Sequence, residues 1–109
     1  MVQTLNHEAV RKMLDNIWLR NAPVMQQRLK LLDDAAAAAL ASALSEDLRL
    51  EAAGEAHKLA GSLGMFGYPR GTDIAREIEV LLETATPGDP NHLANLSAAL
   101  RNALLPENR

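Results

Sequence analysis

The sequence predicts an all-α fold: an antiparallel four-helix bundle with an additional short helix at its N-terminal end. Three observations carry this. The apolar content is mostly Ala and Leu, with one Trp, one Tyr and one Phe, and these two residues lose little side-chain entropy in a helix. Apolar residues recur at spacings of three and four along nearly the whole chain, the period of a helix with one buried face. The breaks between such stretches are short, which favours antiparallel neighbours.

The first stretch covers about His7 to Arg20, with Val10, Met13, Leu14, Ile17 and Trp18 on one face. Asn6 is placed to cap it, and Glu8 sits in the first turn, where negative charge is favoured. Asn21-Ala22-Pro23 interrupts, because proline fits a first helical turn but breaks a helix interior. A second helix is therefore expected from Pro23 to about Leu44, with a stripe of Met25, Leu29, Leu32, Ala36, Ala39, Leu40 and Ala43. Ser45-Glu46-Asp47 is a helix start, a capping hydroxyl followed by two acids. The third helix runs from there to about Gly64. Tyr68-Pro69 opens a fourth, to about Thr84, with Ile74, Ile78, Leu81 and Leu82 inside and Arg76, Glu77, Glu79 and Glu83 outside. Thr86-Pro87-Gly88 is a turn. Asp89-Pro90 supplies an N-cap and a first-turn proline for a fifth helix lined by Leu93, Leu96, Leu100 and Leu104.

A length of 109 residues suits one domain, spanning residues 1–109, and leaves no room for a nucleotide-binding domain beside it. Eleven Lys and Arg against fourteen Asp and Glu give a net charge of −3, which speaks against nucleic acid as a partner. Cysteine is absent, so disulfide and thiol chemistry are excluded. Met1 to Glu8 lacks the basic start and apolar run of a signal peptide. No apolar run reaches the ~18 residues of a membrane span, so no membrane partner is expected, and no metal of its own. A cytoplasmic location is the expectation.

The third helix carries the chemistry. Leu48, Ala52, Ala56, Leu59 and Leu63 cluster on a face centred about 140° from His57, at 3.6 residues per turn. His57 therefore points to solvent or to the rim of the apolar stripe. Its neighbours three and four residues away are Ala53, Gly54, Ala60 and Gly61, and Gly64 follows on the same face. Each side chain is minimal. A helical glycine costs about 1 kcal/mol relative to alanine, so Gly54, Gly61 and Gly64 weaken the helix without adding packing. Access for a partner's surface to the imidazole is a reason to keep them. Gly64 and Gly67 are equally well read as stop signals near a helix end.

Other uses of the histidine fit less well. A helical metal site places His, Asp or Glu three or four residues away, and here those positions hold only Ala and Gly. No nucleophile motif accompanies the histidine, as a triad requires. An exposed imidazole acting alone remains. A free imidazole titrates near ~6.5 and is mostly neutral, hence nucleophilic, at neutral pH. It can accept a phosphoryl group if a partner supplies the metal, the charge stabilisation and the leaving group.

The segment Glu55-Ala56-His57-Lys58-Leu59-Ala60-Gly61-Ser62-Leu63-Gly64-Met65-Phe66-Gly67 resembles the signature of histidine phosphotransfer (HPt) domains, roughly A-H-x-L-[KA]-G-S-x-x-x-x-G. The helical plan and length resemble that family across nearly the whole chain, and Glu79 falls where the family often has an acid in the following helix. The resemblance implies a four-helix bundle whose His57 is phosphorylated on a ring nitrogen, in exchange with an aspartate of a response-regulator receiver domain. It implies a phosphoryl carrier rather than an independent enzyme: no kinase or ATPase activity, no cofactor of its own, and Mg²⁺ in the receiver. A sensor or hybrid histidine kinase is the other implied partner.

One departure stands out. Many family members carry lysine three residues after the histidine; here that position is Ala60. Lys58, about 100° round the helix from His57, is the nearest cation in sequence, and Arg70 and Arg76 are further candidates. Lys58, Gly61 and Ser62 are thus read as neighbours of the phosphoryl site, and Gly54, Gly61 and Gly64 as partner-facing surface. Ser62 lies on another face, where a local hydrogen bond is expected. His7 and His92, at helix starts, read as ordinary surface residues. A non-catalytic adaptor of the same fold, or an unrelated helical interaction module, are the competing readings.

Overall fold

The computed structural model describes residues 7–84 and 89–105. The Asn6 cap and the Thr86-Pro87-Gly88 turn lie outside the described residues. Four helices follow in order: α1 (His7–Leu40), α2 (Glu46–Met65), α3 (Pro69–Glu83) and α4 (Pro90–Ala103). Each packs against the next, and α4 returns to α1. Cross-links between the helices show antiparallel neighbours: Ala60 meets Thr72 and His57 meets Glu79 between α2 and α3, while Asp33 meets Ser97 and Gln26 meets Arg101 between α1 and α4.

The separate short N-terminal helix is not present. Residues 7–40 form one helix of 34 residues with Pro23 inside it. Proline removes one backbone donor and crowds the preceding turn, but two features let α1 continue. Pro23 is exposed, so its ring lies on the solvent side. Packing holds both flanks: Trp18 lies edge-on to Phe66, with centroids 5.0 Å apart, and 5.2 Å from Tyr68, while Met25, Leu29 and Leu32 enter the core on the other side. At ~1.5 Å per residue α1 is about 51 Å long, which accounts for most of the 59 Å long axis of the molecule.

The end of α1 also differs from the sequence reading. The helix stops at Leu40, Ser42 adopts a left-handed φ of 54°, and the Ser42 and Ala43 amides donate to the Ala39 and Ala38 carbonyls. This is a Schellman closure with serine in place of the usual glycine. Leu40 is consequently 49% exposed and Ala43 lies beyond the helix, so neither belongs to the buried stripe; Ala35 does.

The remaining termini follow their sequence signals. Ser45 Oγ accepts from the Leu48 amide at 3.1 Å. Glu46 in the same first turn is bonded by the Arg49 guanidinium, which holds the Glu46 carboxyl below the usual range and raises Arg49 in return. Arg49 also donates to the Leu82 carbonyl near the end of α3, where carbonyls lack helical partners. The α2 helix closes as α1 does: Gly67, at φ 88°, and Tyr68 donate to the Gly64 and Leu63 carbonyls. Asp89 caps α4 through the Asn91 amide at 2.9 Å.

The core is Leu32 from α1, Ala52, Ala56, Leu59 and Leu63 from α2, Ile74, Ala75 and Ile78 from α3, and Leu93 and Leu100 from α4. One polar group bridges its edge: Asp33 accepts from the buried Ser97 hydroxyl and from Arg101 Nε, the latter at 2.8 Å. Among the described residues no helix is long and apolar enough to cross a membrane.

Candidate functional site

The apolar face of α2 fixes where His57 can point. Ala52, Ala56, Leu59 and Leu63 are fully buried, and the His57 side chain on the opposite side is 75% exposed. The four small neighbours of His57 divide into two pairs. Ala53 and Ala60 are each 6% exposed and turn into the seam with α3, where small side chains let the helices approach. Gly54 and Gly61 turn outward, and a Cβ added to either meets nothing within 4 Å. Gly64 is different: a Cβ there would lie 3.3 Å from Thr72 Oγ1. Gly64 thus serves the close α2–α3 contact as well as the surface.

The α3 helix supplies the partner of the imidazole. Thr72 donates its hydroxyl to the Ala60 carbonyl at 3.1 Å. Two turns further on, Glu79 Oε2 lies 2.8 Å from His57 Nδ1. The Glu79 side chain is 19% exposed, so the carboxylate sits in the seam while the ring it holds stands in solvent. Helical periodicity placed Glu79 among the outward residues of its helix. The family resemblance singled it out, but neither established the contact, which depends on the register of α3 against α2.

An ionised carboxylate only accepts hydrogen bonds, so the contact places a proton on Nδ1. In the neutral ring Nε2 then carries the free lone pair. The pair is ion-like when the ring is protonated and a charge-assisted hydrogen bond when it is not.

Lys58 is not directed at His57. Its Nζ lies 3.6 Å from Glu55 Oε1, and Glu55 also pairs with Arg28 of α1 at 3.2 Å. Both Lys58 and Glu55 thus lean toward the α1 side of α2. Ser62 is half-buried, about 140° from His57 round the helix, and its carbonyl accepts the Phe66 amide at 3.2 Å. The structure brings together His57, Glu79, Gly54 and Gly61, and sets Ser62 apart. His7 is exposed at the start of α1, and His92 lies on a shallow groove with Arg76 and Val80. Among the described residues no cluster of three His, Asp or Glu is placed to hold a metal ion.

A bundle of four helices that presents one exposed imidazole, held by a carboxylate from the next helix and flanked by bare glycines, has the build of a phosphotransfer domain. The family model of the Hpt domain matches residues 23–105, and the chain belongs to that family. The match begins at Pro23, so the first sixteen described residues of α1 lie outside it. No curated protein and no solved structure matches the chain.

Proposed function

We propose that this protein is a phosphoryl carrier in a phosphorelay, and that His57 Nε2 is the atom that carries the group. The observation behind this reading is the Nδ1 contact with Glu79 at 2.8 Å on a ring that is 75% exposed. The lone pair of Nε2 attacks the phosphorus of an aspartyl phosphate on a receiver domain. The N–P bond forms, the P–O bond breaks, and the aspartate leaves as a carboxylate with the electron pair. The ring becomes a phosphorylated imidazolium that keeps its Nδ1 proton, and Glu79 faces the positive charge that develops. Transfer to a second receiver reverses these steps, with the imidazole as leaving group.

The carrier needs little machinery of its own. A loose phosphoryl-transfer transition state is served mainly by positioning and charge, and Mg²⁺ in the acidic site of the receiver supplies part of that charge. Gly54 and Gly61 leave room for the receiver surface to reach the ring, and Gly64 extends the same face. The partners in this reading are receiver domains and a sensor or hybrid histidine kinase, in the cytoplasm, without a cofactor bound by this chain.

A non-catalytic adaptor is the second reading, favoured by the burial of Ala60 and the engagement of Lys58 with Glu55. The two are separated by mixing the protein with a phosphorylated receiver. A carrier acquires acid-labile, base-stable label at His57. An adaptor binds without label, and binds equally well after His57→Gln.

A further inference from the structure

We propose that Arg76 is the phosphoryl-binding cation of this site, acting from α3 in place of a lysine on α2. The inference rests on the phosphoryl-carrier reading above and deepens it. Three observations converge on Arg76.

The first is position. Thr72, Arg76 and Glu79 are spaced by four and three residues, so they form one row along α3. The residue before Arg76 in that row touches Ala60, and the residue after it touches His57. Arg76 therefore stands on α3 at the level of the stretch of α2 between Ala60 and His57.

The second is availability. On the two helices that build the site the basic residues are Arg49, Lys58, Arg70 and Arg76. Arg49 is engaged by Glu46 and the Leu82 carbonyl, and Lys58 by Glu55. Arg70 is in the first turn of α3, about 120° round the helix from Arg76 and off the row that faces α2. Arg76 is exposed.

The third is chemistry. Once Nε2 is phosphorylated, the site gains a group carrying close to two negative charges, while Glu79 in the same row is itself acidic. A cation between the two relieves that repulsion, and guanidinium offers a planar fork to two phosphoryl oxygens. In this structure Arg76 lies along a shallow outer groove with Asp73, Glu77, Val80 and His92. An exposed side chain changes rotamer in picoseconds to nanoseconds, so its approach to the phosphoryl group adds no slow step.

The test uses phosphoramidate, a small phosphoryl donor, on the whole chain, followed by ³¹P NMR. Wild type, Arg76→Gln, Arg76→Lys and Arg70→Gln are compared for the rate of phosphorylation at His57, the rate of loss after the donor is removed, and the ³¹P resonance. Arg76→Gln is expected to slow gain and speed loss by about tenfold, the scale of one charged hydrogen bond, and to move the resonance. Arg76→Lys restores most of the rate, and Arg70→Gln, which removes the same charge, leaves all three near wild type. Equal behaviour of Arg76→Gln and Arg70→Gln overturns the role of Arg76 while leaving the carrier intact. Absence of label on wild-type His57 overturns the carrier reading, and this role with it.

Discussion

Glu79 reaches from α3 to hold His57 of α2 by Nδ1, at 2.8 Å, with the carboxylate largely sheltered and the ring largely exposed. The pair separates two tasks between two helices. The α2 helix presents the ring to solvent, and α3 fixes which nitrogen remains free.

Glu79→Gln tests that division. The amide is nearly the same size but removes the charge that faces the imidazolium. Phosphorylation of His57 is expected to slow by about tenfold, within the range of a charge-assisted hydrogen bond on a partly solvated ring. Nitrogen-15 NMR of the imidazole in the wild type should show the neutral ring protonated at Nδ1. Glu79→Ala should let the Nε2-protonated tautomer, usual for a free ring, grow in. An unchanged tautomer in Glu79→Ala contradicts the assigned role.

The glycines of α2 divide by what their missing side chains would meet. Gly54→Ala and Gly61→Ala enter open space, so each should raise stability by about 0.5–1 kcal/mol through helix propensity. Gly64→Ala meets Thr72 Oγ1 at 3.3 Å and disturbs its bond to the Ala60 carbonyl; it should gain nothing or lose stability. Urea unfolding of the three variants gives the ranking. In a transfer assay Gly61→Gln should slow exchange with a receiver while leaving the fold intact.

Much of this architecture was legible in the sequence. The α2, α3 and α4 helices and their caps at Ser45 and Asp89 follow from side chains acting on nearby backbone, and His57 was placed outside the core by periodicity alone. The sequence predicts a break at Pro23 because its local penalty is real, yet the contacts that outweigh it, Trp18 with Phe66 and Tyr68, lie nearly fifty residues away in sequence. The end of α1 at Leu40 is not legible in the sequence, because a left-handed Ser42 carries no compositional signal of the kind glycine gives at Gly67. The His57–Glu79 contact and the diversion of Lys58 to Glu55 are matters of register between helices. Spacing within one helix does not contain them.

The continuity of α1 gives a third prediction. Pro23 is exposed inside a helix held on both flanks, so Pro23→Ala restores a backbone donor without disturbing the core. Stability should rise by about 1–3 kcal/mol, the proline penalty less the entropy that proline removes from the unfolded chain. A fall in thermal midpoint would show that α1 depends on the proline for its path.

Glu46 supplies a pH dependence of definite sign. Its carboxyl is held below the usual range by the hydrogen bond from Arg49. Its contribution to stability is therefore present above the unfolded value and is lost as pH falls through the folded value. Glu46→Gln should flatten the acid side of the stability curve slightly. Because the Glu46 side chain is largely exposed, the difference should shrink as salt is added. A stability difference from Glu46→Gln that persists undiminished after the carboxyl is protonated in acid contradicts the assignment.

The central claim is tested most directly at His57 itself. Wild type and His57→Gln are mixed with a radiolabelled phosphoreceiver, and label on the bundle is followed after acid and after alkali. The predicted result is label on the wild type that survives alkali and is lost in acid, with none on His57→Gln, although circular dichroism shows both variants folded. Equal label on the two proteins, or none on either in a complex that demonstrably forms, contradicts the account.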